Sequence, residues 1–242
     1  PGGETDKDRL RILGEARSVR SYFYLEVVSL FGRIMLYEKN PTTVAESEQV
    51  EQIENPKLAF DFILEDLRKA IEGLPEKAVN KSHFSKPGAR LLRARAAVFA
   101  AGYLGDKSYY QIALDETAEL LKTAPVLGDY GELFEEGNES LDEVLLVRSY
   151  NKDKTNGFGN WCTQSIAGYC VTAPLKAFVD CYEYIGTRND TMPYVHSEPR
   201  LYASIYVPEY ALSVQYFHTI PPNAIQNDAT TYFDHANVYC SL

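Results

Sequence analysis

Trp161 is the sole tryptophan in 242 residues, and it stands in a polar, glycine-flanked stretch where no amphipathic pattern asks for it. Around it in the sequence lie Tyr150, Asn151, Asn160, Gln164 and Tyr169. Flat aromatic faces stack on the C–H patches of pyranose rings, and amide side chains bond sugar hydroxyls. The residue types therefore suit a glycan-binding loop. They equally suit a tryptophan that anchors its own loop to a scaffold, and both readings stand at this point. Residues 201–242 add a second tyrosine-rich stretch.

Catalytic chemistry finds little support. The chain has no HExxH, GxSxG, P-loop or GxGxxG pattern. His83, His196, His218 and His235 are scattered, with no pair at i,i+4. His218, Asp234 and His235 are conceivable metal ligands, but solvated loop residues are the plainer reading, so neither metal nor cofactor is expected. Cys162, Cys170, Cys181 and Cys240 form no CxxC and sit beside no histidine at ligand spacing, which argues against structural zinc. A disulfide among the first three and buried free thiols both remain open. A carboxylate pair for glycoside hydrolysis is defined by separation in space, so an enzyme of that class is the weakest alternative. The expectation is a protein that binds without catalysis.

Charge narrows the partners. With 24 basic against 34 acidic residues the net charge is −10, which repels a phosphate backbone, and no basic patch offsets it. Apolar residues at 45% and charged residues at 24% are ordinary for a globular chain. No apolar run reaches the roughly 18–20 residues that span a bilayer.

The elements that must position these residues are mainly helical in the first two-thirds. A helix is predicted from Thr5 to Phe31, with Leu10, Leu13, Arg17, Tyr24, Val27, Val28 and Phe31 on one broad stripe and Gly32 ending it. Glu38 to Glu54 reads as loop. Asn55 as N-cap and Pro56 at the first position open a second helix, closed by Gly73-Leu74-Pro75. A third follows Ser85-Lys86-Pro87, and a fourth spans about Lys107 to Lys122. Gly105-Asp106 between them implies an antiparallel hairpin, packed through Ala89, Ala94, Ala96, Ala97, Ala100 and Ala101. Taking Pro125 as the closing proline of a 34-residue repeat puts Ala101 and Ala113 on expected small positions, while Leu104, Thr117 and Leu120 depart from the pattern. Arg17 and Arg20 are expected to pair with carboxylates of an adjacent helix, and Arg90, Arg93 and Arg95 to face solvent. Tyr22, Tyr24, Tyr103 and Tyr109 are expected in packing roles.

Beyond Pro125 the texture changes. Gly128 to Phe134 reads as a turn-rich loop, and Glu143 to Tyr150 as a short strand. Thr172-Ala173-Pro174 caps one more helix, in which Leu175, Phe178, Val179 and Tyr182 share a face. Loops follow, with one alternating stretch from Leu201 to Val207.

Eight fragments in order carry a family resemblance. They are Gly14–Tyr24, Val28–Gly32, Phe62–Leu67 with Ala70-Ile71 and Leu74-Pro75, Gly88–Ala96, Asp129-Tyr130 with Leu133-Phe134, Glu143–Leu146, Ala173–Leu175 and Glu198–Tyr202. Together the chain resembles the SusD/RagB family of outer-membrane nutrient-binding lipoproteins. The resemblance implies a mostly α fold, with tetratricopeptide-like helix pairs scaffolding an irregular loop-rich region with a few short strands. It implies a non-catalytic protein on the extracellular face of the outer membrane, binding oligo- or polysaccharide for a SusC-like TonB-dependent transporter; some members take peptides instead. A general helix-repeat module that binds a protein is the alternative. The family's lipid-anchoring cysteine and opening helices have no counterpart here, and Ile185-Gly186 stands where an acidic-Gly dipeptide is usual. On this reading residues 1–242 are one SusD-like domain, incomplete, with a helical scaffold over 5–125 and a ligand-binding part over 126–242. Its membrane contact is through a lipid anchor absent from this chain.

Overall fold

A computed structural model describes residues 6–37, 39–123, 125, 127–134, 137–148, 174–186 and 197–205. It divides into two compact units, Pro1–Val126 with Glu139–Ser149, and Leu127–Asn138 with Tyr150–Leu242.

Helices α1 (Asp6–Phe31), α2 (Val44–Glu48), α3 (Pro56–Gly73), α4 (Lys86–Leu104) and α5 (Tyr109–Leu121) build the first unit. Local chemistry sets their starts. The Asn55 side chain accepts from the Lys57 amide with Pro56 at the first position, and Ser85 Oγ accepts from the Gly88 amide. Gly32 and Gly105 end α1 and α4 with φ of 69° and 68°, a conformation that L side chains seldom adopt. The stretch expected to be loop contains α2, a single turn capped by Thr43.

Three antiparallel contacts follow the chain. In α1/α3, Gly14 and Gly73 let the backbones come close: a Cβ on Gly14 would lie 2.8 Å from Leu74 Cγ, and one on Gly73 2.6 Å from the Leu10 carbonyl oxygen. The buried face of α1 is accordingly Gly14, Ser18, Ser21, Leu25 and Val28. This corrects the expected stripe, because Leu10, Leu13, Val27 and Phe31 are exposed. Small side chains win the inner face where two helix axes approach. Ile12, Ala16, Val19, Phe23, Val27 and Leu30 form a second apolar stripe, all exposed, about 180° around the helix from the first.

In α3/α4, Phe60 packs against both Phe99 and Tyr103, which stack on each other, and the Arg93 Nε donates to the Leu64 carbonyl at 3.0 Å. The α4/α5 hairpin has the expected geometry, with all six alanines and Ala113 buried. Among the tyrosines, Tyr109 is buried and donates to Asp61 at 2.6 Å, and Tyr24 packs edge-on against Phe62. Tyr22 and Tyr103 keep a large part of their surface in solvent.

The arginines sort differently from expectation. Arg17 and Arg20 do reach Asp66 on α3. Arg90 and Arg93, expected in solvent, instead converge on Glu116 of α5, whose side chain is buried. Of these three α4 arginines, Arg95 keeps the exposed position, 3.8 Å from Glu26. Residues 143–148 form no strand among the described residues. Lys81 pins this segment, donating its Nζ to the Leu141 and Val144 carbonyls while its own carbonyl accepts from the Val147 amide. No helix among the described residues is long and apolar enough to cross a membrane.

Among the described residues the second unit contains a 3-10 turn at Glu132–Phe134 and two short helices, α6 (Lys176–Val179) and α7 (Pro199–Ser204). The predicted helix after Pro174 is a single turn, and its N-cap is Leu175 rather than a polar side chain. The alternating stretch from Leu201 is not a strand at its start: Pro199 begins a helical turn that carries Leu201 inward. Val179, Leu201 and Ile205 form a small core, with Tyr182 and Tyr202 against it.

Candidate functional site

The six residues singled out for ligand contact, Tyr150, Asn151, Asn160, Trp161, Gln164 and Tyr169, lie outside the described residues. So do Cys162, Cys170, Cys240, His196, His218 and His235. The described part of the second unit nevertheless places further aromatic and polar groups together.

Asp129 organises the turn that carries two of them. Its Oδ1 accepts from the Gly131 and Glu132 amides at 2.8 and 3.2 Å, and its carbonyl accepts from the Leu133 amide. Asn138 Nδ2 donates to the Glu132 carbonyl at 2.7 Å and ties the turn to the segment that follows. The turn brings Tyr130 and Phe134, four residues apart, into edge-to-face contact with centroids 5.3 Å apart. Tyr130 is 40% exposed and Phe134 69%. The Tyr130 hydroxyl lies 3.0 Å from Ser204 Oγ on α7.

Arg200 lies one turn before Ser204 on α7 and within electrostatic reach of Tyr130. Its Nε and Nη2 donate to Glu198 Oε2 at 2.9 and 2.6 Å, and that carboxylate holds the guanidinium above its ordinary range. Nearby in the same unit the backbone closes a bridge between Tyr184 and Ser197, and the Glu198 amide donates to the Glu183 carbonyl. The Ser197 amide donates to the Tyr202 hydroxyl. Phe178 and Tyr182 make another edge-to-face pair on α6, with Phe178 about half exposed. Cys181 is exposed and its Sγ lies 3.2 Å from the Ala177 carbonyl.

Such a surface can stack and hydrogen-bond a ligand. Among the described residues no group of three or more His, Cys, Asp or Glu side chains is placed to hold a metal. In the first unit His83 is occupied by Glu15, with 3.0 Å between Nδ1 and Oε2. The sequence marks Gly128 to Phe134 as a turn-rich loop and a family fragment, without marking Tyr130 and Phe134 as ligand-facing. The available signal was an aromatic i,i+4 pair in a turn opened by Asp and Gly.

Comparison with known proteins bears on the fold. No family model matches the chain. A SusD-like protein of Bacteroides ovatus is 20% identical over 189 residues, covering 75% of this chain and 33% of its own length. Two Bacteroides fragilis structures share the backbone over 84% of the chain. One, a SusD-like protein, has a TM-score of 0.65 at 22% identity, matched over 44% of its length. The other, a SusD-like carbohydrate-binding protein, has a TM-score of 0.67 at 17% identity, matched over 41% of its length. A further structure, containing a xylogluco-oligosaccharide, superposes at 0.56 with 19% identity, over 69% of this chain and 34% of its own. The chain thus spans between a third and just under half the length of these proteins. The mostly helical fold expected from the eight fragments is borne out.

Proposed function

Because the chain is SusD-like in fold and in the order of its sequence fragments, we propose that it belongs to a non-catalytic glycan-binding protein. The observation that carries this reading is the backbone shared over 84% of the chain with a carbohydrate-binding protein. The xylogluco-oligosaccharide complex supports a sugar chain as the ligand class. On this reading Trp161, Tyr150, Asn151, Asn160, Gln164 and Tyr169 supply stacking faces and amide bonds to an oligo- or polysaccharide. The protein works at the extracellular face of the outer membrane and hands its ligand to a SusC-like TonB-dependent transporter. Its acidity, with a net charge of −10, disfavours nucleic acid as the ligand.

Affinity electrophoresis of the full chain through gels containing xyloglucan, laminarin, starch or mucin glycans tests the proposal. Retardation in at least one gel, with no reducing sugar released over hours, is the expected result. Migration unchanged in every gel overturns glycan binding. Released sugar that vanishes on changing one Asp or Glu to its amide overturns the non-catalytic assignment.

One observation favours a second reading, a helix-repeat interaction module. The exposed stripe of Ile12, Ala16, Val19, Phe23, Val27 and Leu30 on α1 has the i,i+4,i+7 spacing that a partner helix reads. Retention of a peptide in place of any glycan supports that reading.

A further inference from the structure

The geometry points to Phe134 and Tyr130 as a sugar-stacking platform of their own, with Arg200 as its hydrogen-bond donor. This inference rests on the glycan-binding reading and adds a place on the molecule where a pyranose ring sits.

Four features of the pair support it. Phe134 is 69% exposed, yet it is not a loosely held side chain. Its ring meets Tyr130 edge-on, its amide donates to the Gly131 carbonyl, and the turn beneath it is closed by Asp129 and Asn138. A ring already fixed in this way loses little conformational entropy when a ligand settles on it.

The second feature is the polar surround. An apolar partner would leave the Tyr130 hydroxyl, Ser204 and Arg200 to be desolvated, whereas a sugar matches them. A guanidinium carries five N–H donors, and Glu198 engages Arg200 through Nε and Nη2, so further donors can serve ring hydroxyls. The Glu198 carboxylate holds that guanidinium in place.

Third, the two polar side chains belong to one face of α7: Arg200 and Ser204 are four residues apart, and Ser204 is the residue that meets Tyr130. Fourth, the turn lies close against this helix, since a Cβ added to Gly131 would come 3.9 Å from that of Ala203. Aromatic faces and donors are thus held by two short elements locked to each other, as a preformed ligand site requires. The ligand chemistry is a pyranose unit that offers C–H groups from one face to Phe134 and hydroxyls from its edge to Arg200.

The test uses the full chain and the same four polysaccharide gels, with Phe134→Ala, Phe134→Leu, Phe134→Trp and Arg200→Gln. In a gel that retards the parent chain, Phe134→Ala and Phe134→Leu are expected to weaken retention roughly 3- to 10-fold. Phe134→Trp is expected to keep it, and Arg200→Gln to weaken it. Leu preserves apolar bulk without a ring, so the Leu-against-Trp contrast stays informative even if Ala perturbs the turn. Retention by Phe134→Leu equal to that of the parent chain overturns the platform while leaving glycan binding intact. A parent chain retarded in no gel overturns both.

Discussion

Arg20 on α1 holds both carboxylate oxygens of Asp66 on α3, Nε to Oδ2 and Nη2 to Oδ1, each at 2.8 Å. Arg17 stands 3.7 Å from the same carboxylate, and the Arg20 guanidinium lies over the Phe62 ring at 4.9 Å. The α4/α5 pair repeats the device, with Arg90 and Arg93 on Glu116. In both, two arginines spaced i,i+3 on one helix close on a buried carboxylate of its antiparallel neighbour. Two cations on one anion make the carboxylate indispensable, because its loss strands both guanidiniums.

Asp66→Ala should therefore cost about 2–3 kcal/mol, since the arginines there keep partial access to water. Glu116→Ala should cost about 3–5 kcal/mol, because Arg93 is better buried. Denaturant midpoints measure both. A midpoint unmoved in the Glu116 variant would mean that the cluster contributes nothing to the α4/α5 contact.

What the sequence revealed and what it hid can be seen in these same residues. Asn55-Pro56 and Ser85-Lys86-Pro87 mark helix starts because capping is settled within four residues of chain. The partner of Arg90 and Arg93 could not be read, since Glu116 lies on another helix and only tertiary packing brings it there. The inner face of α1 departs from the predicted stripe for a related reason: Gly14, Ser18 and Ser21 carry little hydrophobic signal, yet they decide how near α3 can come. Val144-Leu145-Leu146-Val147 has strand composition, but a strand needs a pairing partner, and the segment is pinned to Lys81 instead. The candidate ligand residues were legible as types only, because stacking geometry belongs to loop conformation.

Glycine positions in α1 and α4 should respond with opposite signs. Gly14→Ala drives a methyl into Leu74 and the Ala70 carbonyl, both within about 3 Å, and should cost about 1–3 kcal/mol. Gly102 lies inside α4 with open space where a Cβ would go, so Gly102→Ala should stabilise by about 0.5–1 kcal/mol. Thermal melts of the two variants check this; shifts of the same sign would contradict the α1/α3 approach described above.

Tyr109 gives the protein an alkaline limit. Burial raises its phenol above the ordinary tyrosine value, and donation to Asp61 raises it further, against the opposing Lys57 contact. A group with a raised folded-state pKa stabilises fully below its unfolded value, about pH 10, and that contribution fades as pH rises through the folded value. Unfolding free energy should fall above pH 10, and Tyr109→Phe should flatten that decline while lowering stability at pH 7 by about 1 kcal/mol. Identical alkaline profiles in the two proteins would assign the decline to other groups.

The outer stripe of α1 makes the last forecast. Phe23 and Leu30 are 61% and 75% exposed, and they lie on the side of the helix opposite Leu25 and Val28. Exposed side chains contribute little to folding, so Phe23→Ser with Leu30→Ser should change unfolding free energy by no more than about 0.5 kcal/mol per site. Leu25→Ser should instead cost several kcal/mol, on the order of a buried leucine truncation plus an unmatched hydroxyl. A contiguous apolar stripe also binds environment-sensitive dyes and promotes association. The double variant should bind less of such a dye and sediment with less concentration dependence than the parent chain. If it melts as far below the parent as the Leu25 variant does, the stripe is packed in the folded chain. If dye binding and sedimentation match the parent's, the apolar surface that drives association lies elsewhere, and the helix-interaction reading loses its only support.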